Sequence, residues 1–178
     1  MKKILWIYIA LLISTFAAAQ KTGYLNLTTF GILAGTSSDS RPAPLSVLSE
    51  HHYRINNTWA PGLTLGIEQL NENTLPLAAN LKLFLPAGNW DFFLAGMGGY
   101  AISLEKPTDV GVEKARGGPV AGIEIGMFVP VNSGSSVILA LGYRYTELNY
   151  DLEDWWIGSY ERKVTYNRFS VRIGIALY

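Results

Sequence analysis

Hydrophobic and polar residues alternate along most of this chain, most cleanly at its C-terminal end. Phe169, Val171, Ile173, Ile175 and Leu177 fall on one side of an extended backbone. Arg168, Ser170, Arg172, Gly174 and Ala176 fall on the other. Period two is the mark of a β-strand. A soluble strand would bury its apolar face against a second sheet or a helix. A strand in a membrane barrel turns that face to lipid and its small, polar face to a lumen. An unpaired edge in lipid is too costly to persist, so the rest of the chain must supply this strand with neighbours.

The same rhythm predicts seven earlier strands, divided by turn-forming residues: about Tyr24 to Ala34, Leu45 to Asn56, Trp59 to Leu70, Leu75 to Leu85, Trp90 to Glu105, Gly118 to Val129 and Ser136 to Tyr150. In the first, Leu25 and Leu27 share one parity and Phe30 and Ile32 the other, which predicts a bulge near Thr28 and Thr29. Connections two-three, four-five and six-seven read as short turns. Connections one-two, five-six and seven-eight read as longer and charged, the last running from Asp151 to Val164; three-four is a short exception. Short turns on one side and longer loops on the other suit an outer-membrane barrel.

The faces opposite the leucines carry Glu50, His52, Arg54, Glu68, Lys82, Glu124, Arg144, Arg168 and Arg172 among many Gly, Ala, Ser and Thr residues. Parity alone does not separate a membrane barrel from a soluble, lipocalin-like one. Small residues do favour the cramped interior of an eight-stranded barrel. The expectation is therefore an all-β protein, an eight-stranded antiparallel up-and-down transmembrane β-barrel, with leucines outward and charges inward.

Composition sharpens the picture. The chain has 178 residues, one domain's worth. Lys2 and Lys3, the apolar run Ile4 to Phe16 and the small residues Ala17-Ala18-Ala19 read as a cleavable signal peptide over residues 1–19, leaving 20–178 as the barrel domain. Without Lys2 and Lys3 there are 12 basic and 14 acidic residues, a net charge of −2, which gives no electrostatic case for nucleic acid. There is no cysteine, so no disulfide, thiolate metal site or lipid-attachment cysteine. No later stretch is long enough for an apolar spanning helix; a crossing would be made with strands.

With these features the chain resembles the small eight-stranded outer-membrane β-barrel proteins of Gram-negative bacteria, the porin-like barrel domains, from Gln20 to Tyr178. The resemblance implies outer-membrane residence with both termini periplasmic, contact with outer-membrane lipid, and insertion by the barrel-assembly machinery. It implies that the closing strand, Phe169, Val171, Ile173, Ile175, Leu177 and Tyr178, is the assembly signal. Tyr178 departs from the family pattern, being one residue out of phase with the apolar positions. Either Leu177 plays the terminal part and Tyr178 overhangs, or the last residue twists.

The chemistry legible in the residues is modest. Inward charges could line a channel or neutralise one another as a plug. Glu50, Glu68 and Glu124 are expected to pair with Arg54, Lys82, Arg144 and Arg172, because an unpaired charge in a narrow lumen is costly. His51 and His52 point to opposite faces of a strand, which disfavours a shared metal. Ser46, Ser49, Glu50, His51 and His52 lie close together, but Ser49 and His51 share a face that Glu50 does not, so no catalytic, metal or cofactor site is assigned. Trp155 and Trp156, in the seven-eight loop, are candidates to contact a surface ligand or protein. The expected role is structural or surface-interacting through the external loops. A small porin for polar solutes is the alternative, and a lipid A-modifying enzyme the second.

Overall fold

In a computed structural model, which describes residues 22–35, 44–70, 72–87, 90–104, 112–154 and 158–178, the chain is all antiparallel β. The expected signal peptide and the candidate contact residues Trp155 and Trp156 lie outside the described residues. The strands are β1 (Gly23–Ala34), β2 (Leu45–Arg54), β3 (Trp59–Gln69), β4 (Asn73–Ala87), β5 (Trp90–Ser103), β6 (Val112–Asn132), β7 (Ser135–Asp154) and β8 (Gly158–Leu177). Each pairs with its sequence neighbours, and β8 closes on β1, so the sheet is a closed barrel. Closure removes every edge, which is what allows a sheet to exist in hydrocarbon.

The outer wall is apolar. Phe169, Val171, Ile173, Ile175 and Leu177 on β8 are all exposed, as are Leu63, Leu65 and Ile67 on β3 and Ile123 and Ile125 on β6. Trp59 and Trp90 stand near the short-turn end of this band, where an amphipathic ring suits the boundary between hydrocarbon and water. Such a continuous apolar exterior is not that of a water-soluble barrel.

Three details differ from the sequence reading. There is no bulge in β1: its ladders with β2 and β8 run without a register shift through Thr28 and Thr29. Leu25 and Leu27 point inward and are buried, while Phe30 and Ile32 point outward. The parity change marks a change in what the lumen contains rather than a turn of the strand. Next, residues 151–154 and 158–164, expected in a long loop, are strand. Strands β7 and β8 stay paired from Ser135↔Leu177 out to Asp154↔Gly158. At 20 residues each they have about twice the length needed to cross hydrocarbon as tilted strands. Similarly β6 begins at Val112, inside the expected charged loop. These three strands rise past the opposite wall, where β2 has 10 residues and β3 has 11. Two register shifts in β6, at Val112/Lys114 and Ala115/Gly117, lead into Gly117, whose φ of 73° is a conformation that glycine adopts readily.

Finally, Tyr178 lies beyond the last strand residue, Leu177. Its N–H donates to the Gly134 carbonyl (3.1 Å), and its hydroxyl lies 3.1 Å from Ser136 Oγ. The out-of-phase aromatic overhangs and hooks onto the β6–β7 turn.

Candidate functional site: the luminal charge network

Inward-facing positions of neighbouring strands meet across the narrow lumen, and at mid-height they are ionic. Glu50 on β2 is fully buried. Its Oε1 accepts from Arg172 Nη1 (2.7 Å). Its Oε2 stands 2.9 Å from Lys82 Nζ, 3.1 Å from His52 Nε2 and accepts from Asn80 Nδ2 at 3.1 Å. Lys82 also reaches Glu124 Oε1 at 2.9 Å, and Arg172 Nη2 bonds the other Glu124 oxygen. Two carboxylates and two cations therefore close a ring in which each carboxylate touches both cations. Thr29 accepts from Arg172 (3.1 Å), and Thr64 accepts from Asn80 (3.1 Å). The remaining His52 nitrogen, Nδ1, lies 3.1 Å from the Ala60 carbonyl.

A second pair sits one layer toward the long-strand end. Arg144 Nη1 is 3.0 Å from Glu68 Oε1, which also accepts from Ser46 (3.2 Å). Burying charge is expensive, and the cost is tolerable only when each group is paired and hydrogen-bonded. The small residues on these faces supply the necessary space. A Cβ on Gly31 would come within 2.6 Å of Arg172 Cγ.

Arg54 departs from the expected pairings, and Arg168, for which no partner was expected, bonds backbone carbonyls. Arg54 does not reach a glutamate. It donates to the carbonyls of Asn56 (3.3 Å) and Asn57 (2.7 Å), approaches Asp91 at 3.6 Å and lies over the Phe84 ring at 4.1 Å. Near the strand ends, turn carbonyls are closer than the central carboxylates. Arg168 donates to the carbonyls of Gly35 (2.9 Å) and Leu33 (3.4 Å), toward the other mouth.

What the pattern of charges did not disclose is the packing above and below them. Toward the short-turn end Leu25, Leu27, Phe84, Phe93, Phe128 and Ile138 form one buried cluster. Phe128 packs against Phe84 and Phe93 at ring-centroid separations of 5.4 and 5.2 Å. Toward the other end Leu33, Leu70, Val120, Leu148, Tyr150 and Tyr166 form a second. The signal was present in Leu25, Leu27, Phe93 and Phe128, all of inward parity. The ring of charge is thus bracketed by two layers of hydrocarbon. A cavity beside it, touching Asn80, Glu124, Arg144 and Ser170, has a volume of about 10 Å³, room for at most a single water. Among the described residues no group of three or more His, Asp or Glu is placed to hold a metal. His51 takes no part in the network; it faces outward.

No family model matches the chain. No curated protein matches it in sequence. Its architecture does have counterparts. The outer membrane protein OprG from Pseudomonas aeruginosa superposes with a TM-score of 0.68 at 12% identity, over 88% of this chain and 96% of that one. This chain has the fold of the small eight-stranded outer-membrane β-barrels. The outer membrane protein AlkL, determined in lipid bilayers, has a TM-score of 0.58 at 9% identity, covering 90% of this chain and 92% of its own. E. coli Outer Membrane Protein W has a TM-score of 0.53 at 10% identity, with coverages of 90% and 99%. At such identities the likeness is one of backbone, and side-chain chemistry must be argued from this chain. The barrel's apolar band and aromatic rim agree with a wall made to span the outer membrane.

Proposed function

We propose that this protein is a non-conducting integral outer-membrane barrel, with both termini periplasmic, that serves as a scaffold for the projecting sheet of β6, β7 and β8. The observation that carries the reading is the bracketing of the Glu50–Lys82–Glu124–Arg172 ring by two buried apolar clusters. A hydrated ion would have to cross both apolar layers and break a ring whose members already satisfy one another. Small porins need a continuous polar path; beside the ring the cavity is only about 10 Å³, and the large cavity at the short-turn mouth meets the apolar layer at Leu25 and Phe128.

The projecting sheet is held by its own polar contacts. Arg116 Nε donates to Asp151 Oδ2 (2.6 Å), Lys163 Nζ lies 2.8 Å from Glu147, and Tyr145 donates to the same carboxylate (2.8 Å). A stiff, charged hairpin above the membrane is a suitable platform for a surface ligand or protein. The working partners are outer-membrane lipid along the wall and the barrel-assembly machinery during insertion.

Planar-bilayer recording with purified monomer tests the proposal. The expected trace is flat at voltages where porins open. Stable, ion-sized steps would overturn it in favour of the small-porin reading.

A further inference from the structure

The lipid-facing wall carries one polar constellation that the scaffold reading does not use. On adjacent strands β1 and β2, Tyr24, Asn26, Thr28, Ser49 and His51 all face outward. Ser49 Oγ lies 3.1 Å from His51 Nε2. The other ring nitrogen, Nδ1, lies 2.5 Å from the Tyr24 hydroxyl and 3.3 Å from Asn26 Nδ2, an amide that also donates to the Glu50 carbonyl (3.4 Å). The ladders place Thr28 directly opposite Ser49 and Asn26 opposite His51.

We infer that this cluster is an acyl-ester hydrolase site for glycerophospholipid, with Ser49 as nucleophile and His51 as general base. Three features converge on that chemistry. A hydroxyl bonded to one imidazole nitrogen, with a further group orienting the other, is the arrangement that activates serine. Tyr24 acts as the positioning residue: with the proton on Nδ1 donating to its oxygen, Nε2 is left to accept from Ser49. Thr28, directly opposite Ser49 on the same face, offers the nearest hydroxyl from the neighbouring strand as donor to a developing oxyanion.

The second feature is depth. The cluster is flanked on one side by Ile175 and Leu177, which pair with Thr28 and Asn26. On the other side stand Leu65 and Leu63, which pair with Ser49 and His51. All four are exposed apolar residues, so the cluster lies within the lipid-contacting band. One same-face step from Asn26 and His51, about 7 Å toward the short-turn end, stand the exposed rings of Tyr53 and the cluster's own Tyr24. That is the level where the glycerol esters of a bilayer leaflet meet the aromatic belt and the first water.

The third feature is cost. Polar side chains on a lipid-facing wall are unfavourable unless they satisfy one another or do something there. The sequence reading set the site aside because Glu50 points the other way. The orienting group comes instead from the neighbouring strand, through the β1–β2 register.

The reaction balances without a cofactor. Ser49 Oγ bonds to the ester carbonyl carbon while its proton passes to His51 Nε2. The carbon–oxygen bond to glycerol then breaks, and His51 returns the proton to the leaving alkoxide, giving a lysophospholipid and an acyl-serine. Water attacks the acyl-serine and loses a proton to His51. That proton passes to Ser49 Oγ as fatty acid departs.

The test uses the folded full chain in mixed micelles of phosphatidylethanolamine and detergent, with released fatty acid and lysophospholipid read by mass spectrometry. Wild type is expected to release fatty acid. Ser49→Ala and His51→Ala should lose about 10²- to 10⁴-fold. Tyr24→Phe should lower kcat with little change in KM. A fluorophosphonate probe should label a peptide containing Ser49 in wild type and not in S49A. These side chains point away from the lumen, so the variants should keep heat-modifiable mobility on gels, which establishes that they are folded. Release that persists unchanged in S49A overturns the inference, as does the absence of release from wild type, with or without a probe adduct. None of these outcomes depends on whether the lumen conducts.

Discussion

Gly31 and Arg172 face each other across the β1–β8 seam, and the missing side chain of the first is the path of the second. A Cβ on Gly31 would fall 2.6 Å from both Arg172 Cγ and the Val171 carbonyl oxygen. The closing strand pair and the central ionic ring are therefore one structural problem: the barrel shuts only where a long guanidinium side chain can turn inward past its neighbour.

Gly31→Val should accordingly destabilise the folded barrel by about 1–3 kcal/mol through overpacking. The control is Gly98→Ala, on the outer face of β5, where a Cβ would meet nothing within 4 Å. Urea titration of barrels folded into lipid vesicles, followed by tryptophan fluorescence, should show a lower midpoint for the first and little change for the second.

The ring itself makes a different prediction. Lys82→Met leaves Glu50 and Glu124 with one cation between them in a buried site. Breaking a buried pair by deleting one partner costs about 3–5 kcal/mol. Removing a carboxylate as well, in Lys82→Met with Glu124→Gln, should recover part of that loss. A double mutant no more stable than K82M would show that the ring is not coupled as its distances imply.

Phe128 packs on Phe84 and Phe93, and it is buried. Phe128→Ala should cost about 3–5 kcal/mol by opening a cavity. It should still fail to conduct, because the charge ring and the Leu33–Tyr166 layer remain. Channels from F128A alone would mean that the apolar layer at the short-turn end is the barrier.

The projecting sheet should respond to acid. Hydrogen bonds from Lys163 and Tyr145 hold the Glu147 carboxyl below its usual range, and the Glu147 bond holds the Lys163 ammonium above its own. A lowered carboxyl pKa adds stability above the unfolded value and loses it as pH falls through the folded one. A raised amine pKa adds stability that is lost only as pH rises through the folded value. The hairpin should therefore exchange its amides faster on acidification through the carboxylate range, after correction for intrinsic rates, and be unaffected near neutrality. Glu147→Gln should remove the acid sensitivity, with a small effect because the Lys163 partner is largely exposed.

Much of this molecule was legible one residue at a time. Period-two alternation fixes which residues of β8 share a face, and turn residues mark where strands end, because both are properties of the local backbone. That was enough for the strand count and for the inward parity of Glu50, Lys82, Glu124 and Arg172. Local pattern misled where parity and chemistry parted company. Leu25 and Leu27 looked like outward residues displaced by a bulge, since leucine was assumed to mean lipid; in β1 they face the lumen. The charged run 151–164 looked like a loop because polar residues dominate it, whereas continued pairing between β7 and β8 keeps residues 151–154 and 158–164 extended.

The sequence by itself determined that the chain is a set of alternating strands with one greasy and one small, charged side, since covalent geometry sends successive side chains to opposite faces. Tertiary structure alone decided partners: that Glu50 meets Arg172 from 122 residues away, that Arg54 turns to Asp91, that buried apolar clusters flank the ionic ring on both sides, and that Tyr24 reaches His51. Those choices depend on register and closure. Register is a relation between strands, and no single strand encodes it.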